Sequence, residues 1–382
     1  MLGVPGWASR SSDSSQNADV DDRALALGHA LEQLTARQVP GISVAVVQPG
    51  GVSKYLDAGV ADLAADRPVA PGTLYLWFSM TKIVTATAVL KLAEDGLLDL
   101  DEPVERLVPE FPRPRSDWPP VRVRHLLSHS AGLPNPMPLR WVHPASEAGR
   151  DSHRFAMELL AKHDRLRFPA GSKAVYSNLG YITLGELIAR ASMQSFEDYV
   201  RTAILEPLSM VDTGFRYPPD AGRIAATGYQ PRLTPMTPLL RLMLPRGIVG
   251  HRAGRFLAFH RFNVDGASYG GLLGPVRDAA RFLAAHLNEG ELEGVRLLSP
   301  DGMRAMQTVQ ARGPKLDVGY GWFRRGPDRA AAEFWEHLGG GAGFWSMMRI
   351  YPEEGFGVVS MGNATSYDHD AVAEAALRSV MG

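Results

Sequence analysis

A serine and a lysine three residues apart, Ser79 and Lys82, have the types and spacing of a nucleophile and its base. Positions i and i+3 share one face of a helix, so the two side chains can touch there. A serine hydroxyl attacks a carbonyl only when a base takes its proton, and a lysine becomes such a base once burial lowers its pKa. The pair alone also fits a serine N-cap followed by an ordinary lysine.

A tyrosine and an asparagine form a second candidate group, in the sequence Tyr176-Ser177-Asn178. A nearby cation favours the phenolate, so Tyr176 can relay a proton between Ser79 and a leaving group. The amide of Asn178 would hydrogen-bond Lys82 or a substrate carbonyl. The alternative interpretation is a turn with a packed tyrosine.

The third candidate group is a histidine close to three glycines, in the sequence His337-Leu338-Gly339-Gly340-Gly341. Glycines on an edge strand let a substrate lie close to the backbone, which makes His337 and Gly339 candidate substrate-binding residues. The backbone N–H groups of Ser79 and Gly340 would then form an oxyanion hole. The alternative is a glycine-rich hairpin end with an exposed histidine.

Two tryptophans lie close to these groups in the sequence, Trp77 before Ser79 and Trp345 after the glycines. Either could form the wall of an acyl or alcohol pocket. Packing in the hydrophobic core is an equal alternative for each.

A second serine, Ser268, lies in a G-x-S-x-G pattern at 266–270. In α/β-hydrolases this pattern needs a strand, a sharp elbow and a helix. Gly271, Gly274 and Pro275 follow here, so no helix opens and no alternating β/α pattern surrounds the serine. We therefore predict that Ser268 is not a nucleophile.

Two histidines, His125 and His129, have the four-residue spacing of a zinc-binding helix. The glutamate of the H-E-x-x-H pattern is missing after His125, so we predict no metal site there. The chain has no cysteine, which excludes disulfides, thiolate catalysis and cysteine metal sites.

The elements that must position these groups follow from periodicity. Short β-like runs lie on both sides of the turn Pro49-Gly50-Gly51 and again in the C-terminal part of the chain, at Tyr320–Arg324, Phe334–Leu338, Phe344–Tyr351 and Phe356–Met361. Helical spacing covers 21–37, 83–93, 152–163, 179–191, 276–289 and 370–381.

Strands at both ends and helices in the middle predict an α+β fold. The N-terminal hairpin and the C-terminal strands would join in one antiparallel sheet covered by helices, with the site between this sheet and a mostly helical lobe. The predicted division is a flexible N-terminus at 1–19, a sheet lobe from 20–78 and 268–382, a helical lobe at 79–230, and an insertion or possible lid at 231–267. For the insertion, a plain surface loop and contact with a membrane surface are the alternatives.

The overall composition excludes several classes of protein. Among 382 residues, 45% are hydrophobic and 21% charged, and the net charge is −1, which argues against a nucleic-acid partner. No stretch has the apolar length of a membrane span, and the N-terminus lacks a convincing signal peptide, so we expect a cytoplasmic protein.

The order S-x-x-K, Y-x-N and H-x-G resembles the serine β-lactamase and penicillin-binding-protein superfamily, and within it class C β-lactamases and family VIII carboxylesterases. The stretches that carry this resemblance are Phe-Ser-Met-Thr-Lys at 78–82 with Thr85-Ala86, His-Leu-Leu-Ser-His-Ser-Ala-Gly-Leu at 125–133, Tyr-Ser-Asn-Leu-Gly-Tyr at 176–181, Gly-Gly-Leu-Leu-Gly-Pro-Val-Arg-Asp at 270–278, Arg-Leu-Leu-Ser-Pro at 296–300 and His-Leu-Gly-Gly-Gly-Ala-Gly-Phe at 337–344.

The resemblance implies that Ser79 is the acylated nucleophile, Lys82 its base partner and Tyr176 the second proton-transfer group, with no cofactor and structural roles for His125 and His129. His337 stands where β-lactamases have lysine. Because histidine is mostly neutral at pH 7, this favours neutral esters of short to medium acyl chains over anionic β-lactams. A β-lactamase or D-amino-acid peptidase or amidase is the alternative, and a non-catalytic binding protein on this fold is a lesser one.

Overall fold

A computed structural model of the chain describes residues 26–314, 317–328 and 332–381. The N-terminus predicted to be flexible, 1–19, and the start of the helix predicted at 21–37 lie outside the described residues. The rest of that helix is present at 26–37.

The strands are short and mostly antiparallel to their neighbours. In chain order they are β1 (Gly41–Gln48), β2 (Gly51–Asp62), β3 (Arg67–Pro68), β4 (Tyr75–Leu76), β5 (Val142–Pro144), β6 (Tyr229–Pro231), β7 (Val249–Ala253), β8 (Phe256–Phe259), β9 (Phe262–Val264), β10 (Leu273–Gly274), β11 (Glu291–Leu292), β12 (Val295–Arg296), β13 (Ala311–Arg312), β14 (Asp317–Val318), β15 (Phe323–Arg325), β16 (Phe334–Gly341), β17 (Phe344–Tyr351) and β18 (Phe356–Gly362).

The helices lie mostly between the two groups of long strands. They are α1 (26–37), α2 (Thr81–Glu94), α3 (Val104–Leu107), α4 (Val123–Leu127), α5 (Ser152–Lys162), α6 (Asn178–Ser192), α7 (Phe196–Val200), α8 (Ala221–Ile224), α9 (Met236–Met243), α10 (Val276–Leu287), α11 (Pro300–Met306) and α12 (His369–Met381). Single turns of 3-10 helix cover Phe78–Met80 and Ala267–Tyr269, and a π-helical turn covers Arg201–Leu205.

The main sheet joins the two ends of the chain, as predicted. Its nine strands have the order β13-β14-β15-β16-β17-β18-β1-β2-β3. The junction is the antiparallel pair β1–β18, in which Val44 stands opposite Ser360. The predicted turn at 49–51 connects β1 to β2, and a turn at 352–355 connects β17 to β18. The prediction of an antiparallel sheet with helices is thus confirmed.

Helices cover both faces of this sheet. Because successive side chains of a strand point to opposite faces, the residues of β1 pack alternately against two different sets of helices. Ala45 and Val47 of β1 face a hydrophobic cluster that includes α2 and α10. Val44 and Val46 face a second cluster with residues of α1 and α12. Strand β1 is therefore almost continuously apolar rather than alternating.

The run predicted at Tyr320–Arg324 forms a strand only from Phe323 onward. Gly321 has a φ of +78°, a value that bends the chain ahead of β15. Strands β13 and β14 were not predicted, since two residues are too few to show alternation.

The segment considered as a possible lid, 231–267, is built into the protein body instead. It contains α9 and most of a small sheet with the order β6-β8-β7, and β9 pairs with β5. Ile248 and Leu257 are fully buried. This burial does not fit a loosely attached flap.

Within the described ranges, no helix combines the length and the apolar character needed to cross a membrane.

Candidate active site

Ser79 lies in the 3-10 turn that leads into α2 and is partly accessible to solvent. The residue before it, Phe78, has a φ of +45°, an unusual conformation for a bulky side chain. Two contacts hold Phe78 there. Its ring packs beneath Gly341, where a Cβ atom would lie only 2.3 Å from the ring, and it lies 6.3 Å from the ring of Phe262. Packing thus maintains a strained backbone next to the hydroxyl, as is common at functional sites.

The three predicted catalytic side chains meet at the hydroxyl of Ser79. The Oγ atom of Ser79 lies 3.1 Å from Nζ of Lys82 and 2.7 Å from the hydroxyl of Tyr176. The helix brings the lysine to the serine, as the spacing predicts. Tyr176 arrives from the loop that precedes α6, far away in the sequence.

Lys82 is fully buried and has no carboxylate partner within the described ranges. Its Nζ donates a hydrogen bond of 2.6 Å to the carbonyl of Tyr269. The rings of Tyr176, Tyr181 and Tyr269 surround Nζ at 5.0, 5.6 and 5.3 Å from their centroids. Burial lowers the pKa of Lys82 well below its ordinary value near 10.5, so the neutral amine is favoured.

Tyr176 keeps its proton more tightly than an exposed tyrosine. Burial raises the pKa of Tyr176, and its hydrogen bond to Ser79 offsets only part of the effect. The resting site therefore combines a neutral phenol with a lysine that tends towards the neutral amine. Of these two groups, only the amine has a lone pair ready to accept a proton.

The G-x-S-x-G stretch forms the backbone support of Lys82. In α2, Thr85 donates a hydrogen bond of 2.7 Å to the carbonyl of Ser268, and Thr81 accepts one of 3.2 Å from the N–H of Leu272. Together with the bond from Lys82 to Tyr269, these contacts bind one face of α2 to residues 268–272. The sequence did not reveal this role, because it depends on main-chain carbonyls and not on side-chain types.

Ser268 itself is buried in the 3-10 turn Ala267–Tyr269, and no elbow from a strand into a helix is present there. A Cβ atom on Gly185 of α6 would lie 2.4 Å from its Oγ, so the side chain packs tightly against that helix. This geometry is consistent with the prediction that Ser268 is not a nucleophile.

His337 is buried and neutral, not exposed. It is 1% accessible, and its Nδ1 lies 2.6 Å from the carbonyl of Gly321. Because a carbonyl only accepts, Nδ1 carries the proton and Nε2 is left as an acceptor without a partner among the described atoms. Burial, and to a smaller extent the charge of Lys82, lowers the pKa of His337 to about 3.

His129 is a site residue whose role the sequence did not show. Its ring lies 4.7 Å from that of Tyr176, and its Nδ1 accepts a hydrogen bond of 3.2 Å from the N–H of Ser177. Burial lowers the pKa of His129 well below 6.5, so the ring is neutral. Its contacts position the loop that carries Tyr176.

The glycines of β16 allow this strand to pack directly on the turn that carries the serine. A Cβ atom on Gly339 would lie 1.8 Å from the carbonyl oxygen of Trp77, so any larger residue would separate the two. Gly340 points to the opposite face of the sheet, where its nearest neighbour is the ring of Trp345.

Trp345 and Trp77 do not line the space around Ser79. Trp345 lies on the face of the sheet that carries Gly340, and its ring is 5.6 Å from that of His369 in α12. Trp77 is fully buried and its Nε1 donates to the carbonyl of Gly274. The hypothesis that either tryptophan forms a pocket wall is therefore not supported.

Asn178 begins α6 and is buried close to the site. Its N–H donates to Oδ1 of Asn135, at 3.0 Å. Its own Oδ1 has no partner among the described atoms, and no hydrogen bond joins it to Lys82 there. Of the two predicted roles of the Asn178 amide, a hydrogen bond to a substrate carbonyl remains a prediction.

Ser79 opens into a cavity of about 260 Å³. Its lining contains aromatic, apolar and charged side chains, namely Ser79, Tyr176, Phe323, Arg325, Glu336, His337 and Leu338. Arg325 was not predicted as a site residue. A larger cavity, of about 830 Å³, lies behind the turn at 267–269 and includes neither Ser79 nor Lys82.

No group of three or more histidine or carboxylate side chains that could hold a metal ion occurs in the described part of the chain. His125 and His129 serve separate local contacts: Nδ1 of His125 accepts from the N–H of Arg122 at the start of α4.

Known proteins share both the sequence pattern and the fold. A family model described as Beta-lactamase matches residues 27–380. Esterase EstB of Burkholderia gladioli is 30% identical over 76% of this chain and 76% of its own length. Penicillin-binding protein 4* of Bacillus subtilis is 27% identical over 81% of this chain, which spans 65% of that relative.

A solved structure supports the same relationship. The D-amino acid amidase of Ochrobactrum anthropi, in complex with D-phenylalanine, superposes with a TM-score of 0.74 over 94% of this chain and 98% of its own, at 25% identity. With the family model matching nearly the whole described chain, the conclusion is direct: this chain belongs to the beta-lactamase family and has the β-lactamase/transpeptidase-like fold.

Proposed function

We propose that the protein is a serine hydrolase that works through an acyl-enzyme, and that its preferred substrates are esters of short to medium acyl chains. The observation that carries this proposal is the contact of Ser79 Oγ with both Lys82 and Tyr176, at 3.1 and 2.7 Å. A hydroxyl between a neutral amine and a phenol is equipped to lose its proton to one and to pass a proton from the other.

In the first step, Ser79 attacks the ester carbonyl and its proton moves to the neutral amine of Lys82. We assign the base to Lys82 because burial lowers its pKa and raises that of Tyr176, so an amine is available where a phenolate is not. The alkoxide leaves with the proton of Tyr176, which then recovers a proton from the Lys82 ammonium. Water releases the acyl group by the same route in reverse.

Two backbone N–H groups would stabilise the oxyanion. Ser79 precedes α2, where N–H groups have no acceptor within the helix. Gly341 and Phe344 pair across the turn at 342–343, and Gly340 is the residue before Gly341. Along an antiparallel strand, successive residues alternate between those whose backbone groups bond to the partner strand and those whose backbone groups point away from it. We infer that the N–H of Gly340 points away from β17. On that side of β16 the pairing with β15 ends at Glu336, so it does not extend to Gly340.

The preference for esters rests on His337, which stands neutral where a β-lactamase has a permanent cation. Two candidate functions, ester hydrolysis and amide hydrolysis, each have a relative of that name: one relative is named an esterase and another a D-amino acid amidase. An amidase or β-lactamase is therefore the second candidate function.

A substrate panel tests the choice. We expect the purified protein to hydrolyse p-nitrophenyl butyrate with a higher kcat/KM than either a chromogenic cephalosporin or D-phenylalanine amide. Faster turnover of either amide would replace the esterase proposal by the second candidate. No reaction with a fluorophosphonate probe would instead indicate a binding protein without catalysis.

A further inference from the structure

One segment of the chain carries positive charge without any acidic residue. Residues 221–264 contain seven arginines and neither an aspartate nor a glutamate, although the net charge of the whole chain is −1. A one-sided distribution of this kind attracts anions. The fold brings two of these arginines, Arg232 and Arg255, together with Arg37 at the end of α1.

These three arginines line one cavity of about 520 Å³. It lies between the end of α1, the turn that precedes β8 and the residues that follow β18, and it shares no lining residue with the cavity beside Ser79. The rest of its described lining has no acidic side chain and is largely apolar, namely Gln38, Pro231, Leu233, Phe256, Ser366 and Tyr367.

Backbone carbonyls hold two of the guanidinium groups by one nitrogen each. Nη1 of Arg232 donates to the carbonyl of Gly254 at 3.0 Å. Nη2 of Arg255 donates to the carbonyl of Ala36, in the last turn of α1, at 3.0 Å. The guanidinium of Arg37 has no hydrogen bond or ion pair with another described residue. Most of the N–H groups of the three arginines are therefore available to a ligand.

Three like charges in one cavity repel each other, and a bound anion removes that repulsion. A phosphate monoester fits the cavity better than a carboxylate, because it carries up to two negative charges and three terminal oxygens. A guanidinium group binds two oxygens of a phosphate at once, so several arginines can share one phosphate.

A second cavity, of about 730 Å³, adjoins the first, and Arg255 and Phe256 line both. Glu32, His251 and Arg252 contribute polar groups to it. Much of its remaining lining is apolar, namely Pro40, Val60, Leu63, Ala64 and Ala253. On the other side of the arginines, Leu233 is 96% exposed. An alkyl chain attached to the phosphate would thus find apolar surface next to the cations.

We propose that Arg37, Arg232 and Arg255 bind the phosphate group of an amphiphile, and that its alkyl chain lies in the adjoining cavity. This is a second binding site, separate from the site of Ser79, and it does not depend on the proposed hydrolase function. A free alkyl phosphate and the headgroup of a phospholipid in a bilayer offer the same chemistry.

Calorimetric titration with octyl phosphate below its micelle concentration, and with inorganic phosphate, tests the site. We expect octyl phosphate to bind at least about tenfold more tightly than inorganic phosphate, because its methylene groups are buried. Arg37→Gln breaks no described contact and should weaken both ligands about tenfold, because a hydrogen bond between charged groups is lost. Leu63→Ala should weaken octyl phosphate alone.

Arg246→Gln is the matched control, because it removes one positive charge from the same acid-free segment. Arg246 lines neither cavity, so its affinities should stay within about twofold of those of the wild type. Hydrolysis of p-nitrophenyl butyrate checks the fold of each variant and should be unchanged in Arg37→Gln, which lies outside the cavity of Ser79.

Sedimentation with phosphatidylcholine vesicles, with and without phosphatidic acid, distinguishes the two sources of the phosphate. Binding to the phosphatidic acid vesicles that Arg37→Gln weakens would assign the site to a lipid headgroup. Binding of octyl phosphate without binding to vesicles would assign it to a free amphiphile.

Three results would overturn the inference: no binding of octyl phosphate or of either vesicle, the same loss of affinity in Arg37→Gln and Arg246→Gln, or inorganic phosphate bound as tightly as octyl phosphate. A wild type that binds octyl phosphate but hydrolyses no ester would contradict the proposed function and leave this inference standing.

Discussion

Two serines in this chain lie in short motifs of serine hydrolases, and the structure separates them. Ser79 is partly accessible and contacts both Lys82 and Tyr176, whereas Ser268 is buried against Gly185. Yet the two regions depend on each other, since the carbonyls of Ser268 and Tyr269 accept hydrogen bonds from Thr85 and Lys82 of α2.

The comparison indicates that the stretch 266–270 contributes to the site through its backbone carbonyls and not through the side chain of Ser268. Nucleophilicity needs a base within hydrogen-bond distance of the hydroxyl, and only Ser79 has one. The stretch 266–270 instead holds Lys82, the proposed base, through the carbonyl of Tyr269. The four predictions below test this division of roles.

The largest effect should separate the two serines directly. Ser79→Ala removes the proposed nucleophile, so we expect ester hydrolysis to fall by roughly 10³-fold or more. Ser268→Ala leaves the backbone carbonyl in place and should retain activity within about threefold. Rates on p-nitrophenyl butyrate measure both. Loss of activity in the Ser268 variant with Ser79→Ala active would reverse the assignment of the nucleophile.

Lys82→Met should separate catalysis from stability. We expect activity to fall roughly 10²-fold or more because the base is lost, while the free energy of unfolding rises by about 0.5–2 kcal/mol. Lys82 favours the neutral amine in the folded protein but carries a proton in the unfolded chain below about pH 10.5. Folding at neutral pH therefore has to remove this proton, which costs free energy that the methionine variant does not spend.

Denaturant titrations at several pH values check this stability change. The difference between Lys82→Met and the wild type should shrink as the pH approaches 10.5, where the unfolded lysine also loses its proton. A variant less stable than the wild type at pH 7 would contradict our account of an uncompensated lysine.

The pH dependence of kcat/KM should identify the base. If Lys82 acts as the neutral amine, kcat/KM falls about tenfold per pH unit once the pH drops below its lowered pKa. With a pKa of about 3, His337 is neutral throughout the measured pH range and does not account for such a fall. If Tyr176 were the base, kcat/KM would keep rising with pH up to pH 10 without reaching a plateau, because burial raises the pKa of its phenol. A pH–rate profile from pH 4 to 10 distinguishes them.

The smallest effect concerns the support of Lys82. Thr85→Val removes the hydrogen bond to the carbonyl of Ser268, so we expect a loss of about 1 kcal/mol in stability and a several-fold loss in kcat. Thr183→Val is the control, because Thr183 is equally buried but bonds within α6, to Leu179. It should lose similar stability and keep its kcat. Equal kcat in both variants would show that residues 268–269 do not position the base.

Much of the fold was predictable, because long periodic elements are specified locally. The limits of α2 and α6, and of β17, follow from apolar runs ended by turns. The helix α2 ends at Glu94 with Asp95 as its C-cap, and Gly96 follows with a φ of +72°, a conformation that glycine allows. The two-residue strands β13 and β14 and the compact packing of 231–267 were not predictable, since they form only against other parts of the chain.

The sequence by itself determined the partners that lie within one helix and the glycines that permit close approach. Ser79 and Lys82 meet because three residues span about one turn where the 3-10 turn at Phe78–Met80 continues into α2, and Gly339 admits the backbone of Trp77 because it has no side chain. The tertiary structure decided the rest. It brought Tyr176 within 2.7 Å of Ser79, buried His337 as a neutral ring and placed Arg325 in the same cavity. Burial and long-range contact set these charges and distances, and neither is a property of a short stretch of sequence.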